Sequence, residues 1–425
     1  MKNKINYYLE KLFPINRSLT GIGNRKTLKI IQKIVPIKIK EIKSGTKVYD
    51  WIVPEEWDIN DAYIKDANGN RLISFKENNL HVMGYSKKFE GIMNWRELNL
   101  KLITANIDKD SIPYRTSYYK KNWSFCVSQN QYDLIKKSKG PFKVKIDSTH
   151  KKGSMSYGEY VIKGKSKKEI LISCYICHPS MANDSLSGVI LCAFLAAKIL
   201  KKKTNWSYRI VFVPETIGAI AYCNKNENIM KQIDTALVIT TVGGPGKFGY
   251  KKSWDENHKI NSEIEKVFLE NKINFINYPF DVKGSDERQY SSLGFRINAA
   301  TITKDKYYEY KQYHTSNDNL KFVNADFINE SLKIYLKLID KIEKWEIYKS
   351  TNMYCEPMLS KRNLYNNIGG SYVNEKNKLY IISWVLFLSD GILTINQISS
   401  KLKVKKNIIK KISEQLVNIG LLSKV

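Results

Sequence analysis

Three short, β-branched apolar runs at residues 170–176, 208–213 and 236–242 constrain this chain more than any other feature. They are short enough, and apolar enough throughout, to be buried parallel strands. Between the first two, residues 188–200 form a helical run of small and apolar side chains that can pack closely on a sheet. Strand, helix and strand at this spacing imply right-handed crossovers, so the fold class is α/β with a doubly wound, mostly parallel sheet. Ligands of such sheets lie beyond the carboxyl ends of the strands. His178, Glu215 and the loop at Gly243 all follow strands directly, which sends them to one edge.

The flanking segments have different patterns. Residues 7–12 and 26–34 read as helices around a loop that ends in Gly23. From residue 37 to about 145, short alternating segments are separated by Pro, Gly and Asn turns, the mark of β-rich structure. Residues 353–373 are irregular and read as a linker. Helices are predicted at 379–388, 394–402 and 405–419 and a final strand at 421–425, with Thr394 as an N-cap and Gly391 and Gly420 as punctuation. That outline is a winged helix-turn-helix. The expected domains are an α/β domain (1–44 and 146–350), an inserted β-rich domain (45–145) and a winged-helix domain (351–425).

Chemistry concentrates in three polar segments. Cys177-His-Pro-Ser-Met-Ala-Asn-Asp184 follows the first strand, Val213-Pro-Glu215-Thr-Ile-Gly218 follows the second, and Tyr313-His314-Thr-Ser-Asn-Asp318 lies downstream. The chain has only five histidines, and two of them fall in these loops. Imidazole and carboxylate brought from separate strand ends into one cleft suit a hydrolytic zinc site, with His178, Asp184 and His314 as ligands. Glu215, beside such a metal, is the expected general base. In Gly284-Ser-Asp-Glu-Arg-Gln-Tyr290, Arg288 is a candidate to hold a substrate carboxylate or phosphate, and Asp286 to orient a ligand.

Two other pattern matches fail on context. Cys174-Tyr-Ile-Cys177-His178 fits the haem-attachment spacing but ends a buried strand and meets Pro179, with no export signal upstream. Gly244-Pro-Gly246-Lys-Phe-Gly249 fits a dinucleotide fingerprint, but no helix opens there to receive a pyrophosphate.

The net charge of +29, from 70 basic and 41 acidic residues, admits an anionic partner. The basic residues are scattered lysines in a chain also rich in Ile, Asn and Tyr, so a solvated surface is the favoured reading and nucleic acid is not. Six cysteines are too few for a disulfide scaffold, and several sit in apolar segments as reduced core residues. With neither a long apolar run nor a secretory signal in view, a cytoplasmic protein without a membrane partner is expected.

These motifs, with Leu12-Phe-Pro-Ile-Asn-Arg-Ser-Leu-Thr-Gly21 and Gly45-Thr-Lys-Val-Tyr-Asp-Trp51, resemble a family of bacterial proteins along nearly the whole chain. Its members join a zinc-aminopeptidase-like α/β domain, with an inserted small β domain, to a winged helix. The wider relatives, co-catalytic zinc aminopeptidases, hold two zincs through His, a bridging Asp, Glu, a further Asp and a final His. The resemblance implies His178 in the first role, Asp184 as the bridge, His314 as the last ligand and Glu215 as the base. Thr216 and Gly244 stand where a second Glu and the further Asp are expected.

The function expected is therefore zinc-dependent hydrolysis of a peptide or amide bond, aminopeptidase-like, on a small peptide or amide substrate. One zinc ion is expected, with two admitted, and a homo-oligomer is compatible. Two alternatives are a weakly active or non-catalytic regulator, its lysines between Lys403 and Lys411 contacting phosphate, and an amide hydrolase of surface-polysaccharide synthesis.

Overall fold

The computed structural model describes residues 1–105, 107–138, 140–365 and 378–425. These form two compact units: Met1–Glu256 with Ile264–Leu336, and Asn257–Glu263 with Lys337–Val425.

The first unit is organised on an eight-stranded sheet. In chain order the strands are β1 (Lys38–Lys43), β2 (Ser154–Ile162), β3 (Glu169–Tyr175), β4 (Ser207–Val213), β5 (Thr235–Val238), β6 (Phe248–Lys251), β7 (Phe275–Tyr278) and β8 (Asn298–Thr303). Their spatial order is β1-β2-β4-β3-β5-β8-β6-β7. The centre, β4-β3-β5-β8, is parallel throughout. β1 and β2 extend it antiparallel on one side, and on the other β6 lies antiparallel to β8 and parallel to β7. The predicted doubly wound, mostly parallel sheet is present, and its antiparallel margins were not predicted.

The central strands are buried on both faces, their apolar side chains in the core and a charged one, Arg209, paired with Glu169 at 2.9 Å. The helix Gly188–Ile199 approaches the end of β5 so closely that a Cβ on Gly188 would lie 2.4 Å from the Ile239 carbonyl oxygen. Residues Ala182–Ile199 are apolar enough by length and composition to cross a membrane, yet 89% of that window is buried inside the protein. Packing on the sheet accounts for their apolarity.

The strand expected at 236–242 stops at Val238. Beyond it, side chains take over from the ladder. Thr241 Oγ1 lies 2.7 Å from Thr303 Oγ1, Ser187 Oγ accepts the Val242 N–H at 3.1 Å, and Asn183 Oδ1 accepts the Gly243 N–H at 2.8 Å. Thr241, at φ 47°, turns the chain toward the segment that carries Asp184.

A four-stranded antiparallel sheet, ordered Arg71–Ser74, Glu56–Lys65, Phe142–Lys151, Phe89–Met93, packs a separate core of Ala62, Ile64, Phe125, Phe142, Val144 and Ile146. A smaller cluster of Leu80, Met83, Ile112, Tyr114, Cys126 and Met181 ties this region to the loop between His178 and Asp184.

The second unit has a three-stranded sheet ordered Asp390–Thr394, Ile347–Ser350, Leu422–Lys424, with helices Lys378–Leu388, Ile395–Leu402 and Lys406–Asn418. Thr394 caps the middle helix as predicted: its Oγ1 accepts the Gln397 N–H at 3.3 Å while Gln397 Oε1 accepts the Thr394 N–H at 3.1 Å. The strand at Asp390–Thr394 was not predicted, and Gly391 sits inside it at φ 85°. Residues 366–373 of the expected linker lie outside the described residues.

Candidate active site

His178 enters three residues beyond the end of β3 and is 2% exposed. The buried Arg17 fixes its backbone: Arg17 Nε donates to the His178 carbonyl at 2.9 Å and Nη1 to the Leu12 carbonyl at 2.6 Å. That contact explains the Asn16-Arg17-Ser18 motif, which the sequence displays without disclosing its use.

Asp184 sits in the short helical segment Ala182–Ser187, with non-helical φ −106° and ψ 86°. Asp318 holds this backbone, its Oδ1 accepting the Asn183 N–H at 2.5 Å and its Oδ2 the Asp184 N–H at 2.9 Å. The Tyr175 hydroxyl donates to Asp184 Oδ1.

His314 comes from a loop after β8 and adopts φ 53°, a left-handed conformation that a non-glycine residue reaches only when neighbours hold it. Its carbonyl accepts the Tyr114 N–H at 2.8 Å, and its ring stacks on Tyr313 at 3.9 Å. The Tyr114 ring lies 5.2 Å from that of His178 and 5.1 Å from that of His314.

The structure brings His178, Asp184 and His314 together, with one donor atom from each lying within 4.8 Å of the others. His314 Nε2 is 3.0 Å from Asp184 Oδ2 but not aligned for a hydrogen bond, and among the described residues that buried nitrogen has no hydrogen-bond partner.

Glu215 follows β4. Its Oε2 is 3.7 Å from His178 Nε2 and its N–H donates to Cys177 Sγ at 3.2 Å. Cys177, His178 and Glu215 form a second converging group, also within 4.8 Å. The Glu215 side chain is 22% exposed and that of His314 28%, against 2% for His178, so the first two border the opening of the cleft and His178 lies at its floor.

Thr216, at φ 61° and ψ −82°, makes the strained turn that presents Glu215. Asp286 Oδ1 accepts the Thr216 N–H at 2.8 Å, and Arg288 Nη2 donates to Thr216 Oγ1 at 3.2 Å. The loop bearing Asp286 is anchored by a buried ion pair: Lys251 Nζ lies 2.9 Å from Glu287 Oε1 and donates to the Lys283 carbonyl at 2.9 Å. At Gly244 a Cβ would lie 2.0 Å from Asp305 Oδ2, so a side chain there would require the Asp305 carboxylate to move.

Burial, reinforced by His314 and Arg17, pushes the His178 imidazole down to about 4 although Asp184 opposes it, leaving the neutral, metal-binding form. For Asp184 burial acts upward, but His178, His314 and the Tyr175 hydroxyl outweigh it and bring the carboxyl to about 2. Glu215 is raised well above the ordinary carboxylate range by burial and by the charges of Asp286 and Asp184. Asp286 is raised to about 7, chiefly by burial. Crowded carboxyls beside two imidazoles, one of them with a buried nitrogen that lacks a hydrogen-bond partner among the described residues, form a donor set suited to zinc, and a cation would relieve their mutual repulsion.

Sequence reasoning missed Arg17, Tyr114, Tyr175 and Asp318. Arg17 and Asp318 stand in motifs visible in the sequence, but their contacts span 161 and 134 residues of chain.

The comparisons with known proteins agree with this architecture. Residues 7–345 match the family described as a domain of unknown function, DUF4910, and residues 346–424 match a winged helix-turn-helix. A Clostridium acetobutylicum protein, provisionally named a polysaccharide biosynthesis protein with an aminopeptidase-like domain, is 43% identical over 98% of this chain and 95% of its own length. A crystal structure from the same organism, provisionally described as a peptidase, is 42% identical with a TM-score of 0.80, covering 100% of this chain and 96% of that one. The zinc aminopeptidase BSAP of Bacillus subtilis shares the fold at 9% identity and a TM-score of 0.57, covering 80% of this chain and 94% of that one. By motif, fold and relatives, the chain belongs to the DUF4910 family, an aminopeptidase-like α/β domain followed by a winged helix-turn-helix.

Proposed function

We propose that this protein is a zinc-dependent hydrolase of a peptide or amide bond, of aminopeptidase type. His178, Asp184 and His314 are its metal ligands and Glu215 its general base. The observation that carries the reading is the convergence of those three donor atoms within 4.8 Å, with Glu215 Oε2 3.7 Å from His178 Nε2. A zinc ion held there would polarise the scissile carbonyl and acidify water. Glu215 takes a proton from the attacking water and delivers it to the leaving amine as the C–N bond breaks. Its raised proton affinity suits the second half of that task. Asp286 and Arg288 hold the Thr216 turn that aims Glu215, and Arg288 offers its remaining N–H groups to a substrate carboxylate or phosphate.

Two observations favour a narrower substrate, an amide on an anionic glycan of surface-polysaccharide synthesis. The chain carries a net charge of +29, and its 43% identical relative is named for polysaccharide biosynthesis. The cytoplasm suits five buried cysteines with free thiols. Nucleic acid is a weaker candidate partner, because Lys406 and Lys410 of the last helix pair with Glu346 at 3.6 and 2.5 Å.

The test is amine release from a panel of peptides, aminoacyl amides and amide-bearing acidic oligosaccharides, with and without chelator. Chelator-sensitive release restored by zinc supports the reading, whereas release indifferent to metal ends it.

A further inference from the structure

Resting on the ligand reading above, we propose that the centre takes one metal ion rather than two, and that Tyr175 and the Thr216–Arg288 pair set that number. Among the described residues, the two groups of three converging donors both contain His178. Two ions would have to share that imidazole, which offers one nitrogen at a time to the cleft. A carboxylate that bridges two ions gives one oxygen to each. Asp184 faces His314 with Oδ2 at 3.0 Å, while its Oδ1 takes the Tyr175 O–H. Tyr175 is 2% exposed, and its oxygen also lies 2.7 Å from Thr240 Oγ1. An ionised carboxylate only accepts, so Thr240 donates to Tyr175 and Tyr175 donates to Asp184. This buried chain of donors takes one of the two lone-pair sites of Oδ1 and fixes the carboxylate with its Oδ2 toward His314.

On the other side of the cleft, the residue after Glu215 presents a hydroxyl, and Thr216 Oγ1 accepts from Arg288 at 3.2 Å. A permanently charged guanidinium therefore stands where a second cation would need an anionic ligand. Gly244 itself carries no side-chain donor, and Asp305, whose Oδ2 fills the space beside it, belongs to neither converging group among the described residues.

The experiment is zinc stoichiometry by plasma mass spectrometry after dialysis against excess zinc and desalting. It compares wild type with a Tyr175→Phe/Thr216→Glu double variant whose fold is checked by circular dichroism. One equivalent for wild type and two for the double variant are expected. Two equivalents in wild type, or one in a folded double variant, would overturn the proposal while leaving the ligand assignment standing. No zinc in wild type would remove the ligand assignment itself. If the double variant does not fold, the wild-type count still decides.

Discussion

Asp318 reaches across 134 residues of chain to hold Asp184, accepting its backbone N–H at 2.9 Å while accepting that of Asn183 at 2.5 Å. Both contacts act on backbone, so they aim the Asp184 carboxylate without consuming either of its oxygens. An Asp318→Asn variant turns one acceptor into an NH2 group facing an N–H. Zinc affinity should fall by about 10–100-fold, as for other supports of a metal ligand. Competition with a chromogenic chelator would measure it, and unchanged affinity would contradict this role.

Metal content itself is the most direct check. Purified without chelator, the wild type should carry about one zinc per chain. His178→Ala should carry none, because it removes a nitrogen common to both converging donor groups. Full occupancy in that variant would refute the assignment.

Glu215→Gln keeps the shape of the side chain and removes its ability to take a proton. Turnover should drop by about 10²–10⁴-fold with zinc content unchanged. A variant that stays active would exclude Glu215 as the base, and one that loses zinc would make it a ligand instead.

Stability should depend on pH in a stated direction. Asp286 and Asp318 are each raised to about 7 in the fold, mainly by burial, against roughly 3.9 for an unfolded Asp. Between those values the native state keeps protons that the unfolded chain releases. This stabilisation is fully present below about pH 4 and is lost as pH rises through about 7. In metal-free protein these two groups favour pH 5 over pH 8, against the opposite slope of His178 between about 4 and 6.5, so the check is the difference in slope between wild type and a variant. Asp286→Asn, which retains an acceptor for the Thr216 N–H, should flatten the slope; an unaltered slope would speak against it.

Gly188→Ala tests the close helix–sheet approach. A methyl group placed 2.4 Å from the Ile239 carbonyl forces the helix outward, at a cost of about 1–3 kcal/mol. Thermal melts should shift down by several degrees, and a neutral result would mean the helix yields easily.

The parallel centre of the fold was legible because β-branched runs at 170–176 and 208–213 are nearly the strands β3 and β4. The run at 236–242 misled because Thr240 and Thr241 have strand-like side chains. Their hydroxyls instead bond Tyr175 and Thr303 and bend the chain out of the sheet. Thr394 was recognisable as a cap because capping is decided within four residues. The Asp390–Thr394 strand was not, because its partner Ile347–Ser350 lies some forty residues upstream.

Local pattern determined what kinds of groups follow which strands: His178 after β3, Glu215 after β4, and a second histidine in a later polar loop. Hydrophobic periodicity and sparse, sharply framed polar residues are written along the chain, so they can be read one segment at a time. Tertiary structure alone decided what surrounds those groups. That Tyr175 caps one oxygen of Asp184, that Asp318 aims it, that Tyr114 packs beside both imidazoles and that Arg288 bonds Thr216 are contacts between residues distant in sequence or aimed by the fold. Hydrogen bonds depend on distance and direction in space, and those are set only when the sheet and its loops have closed.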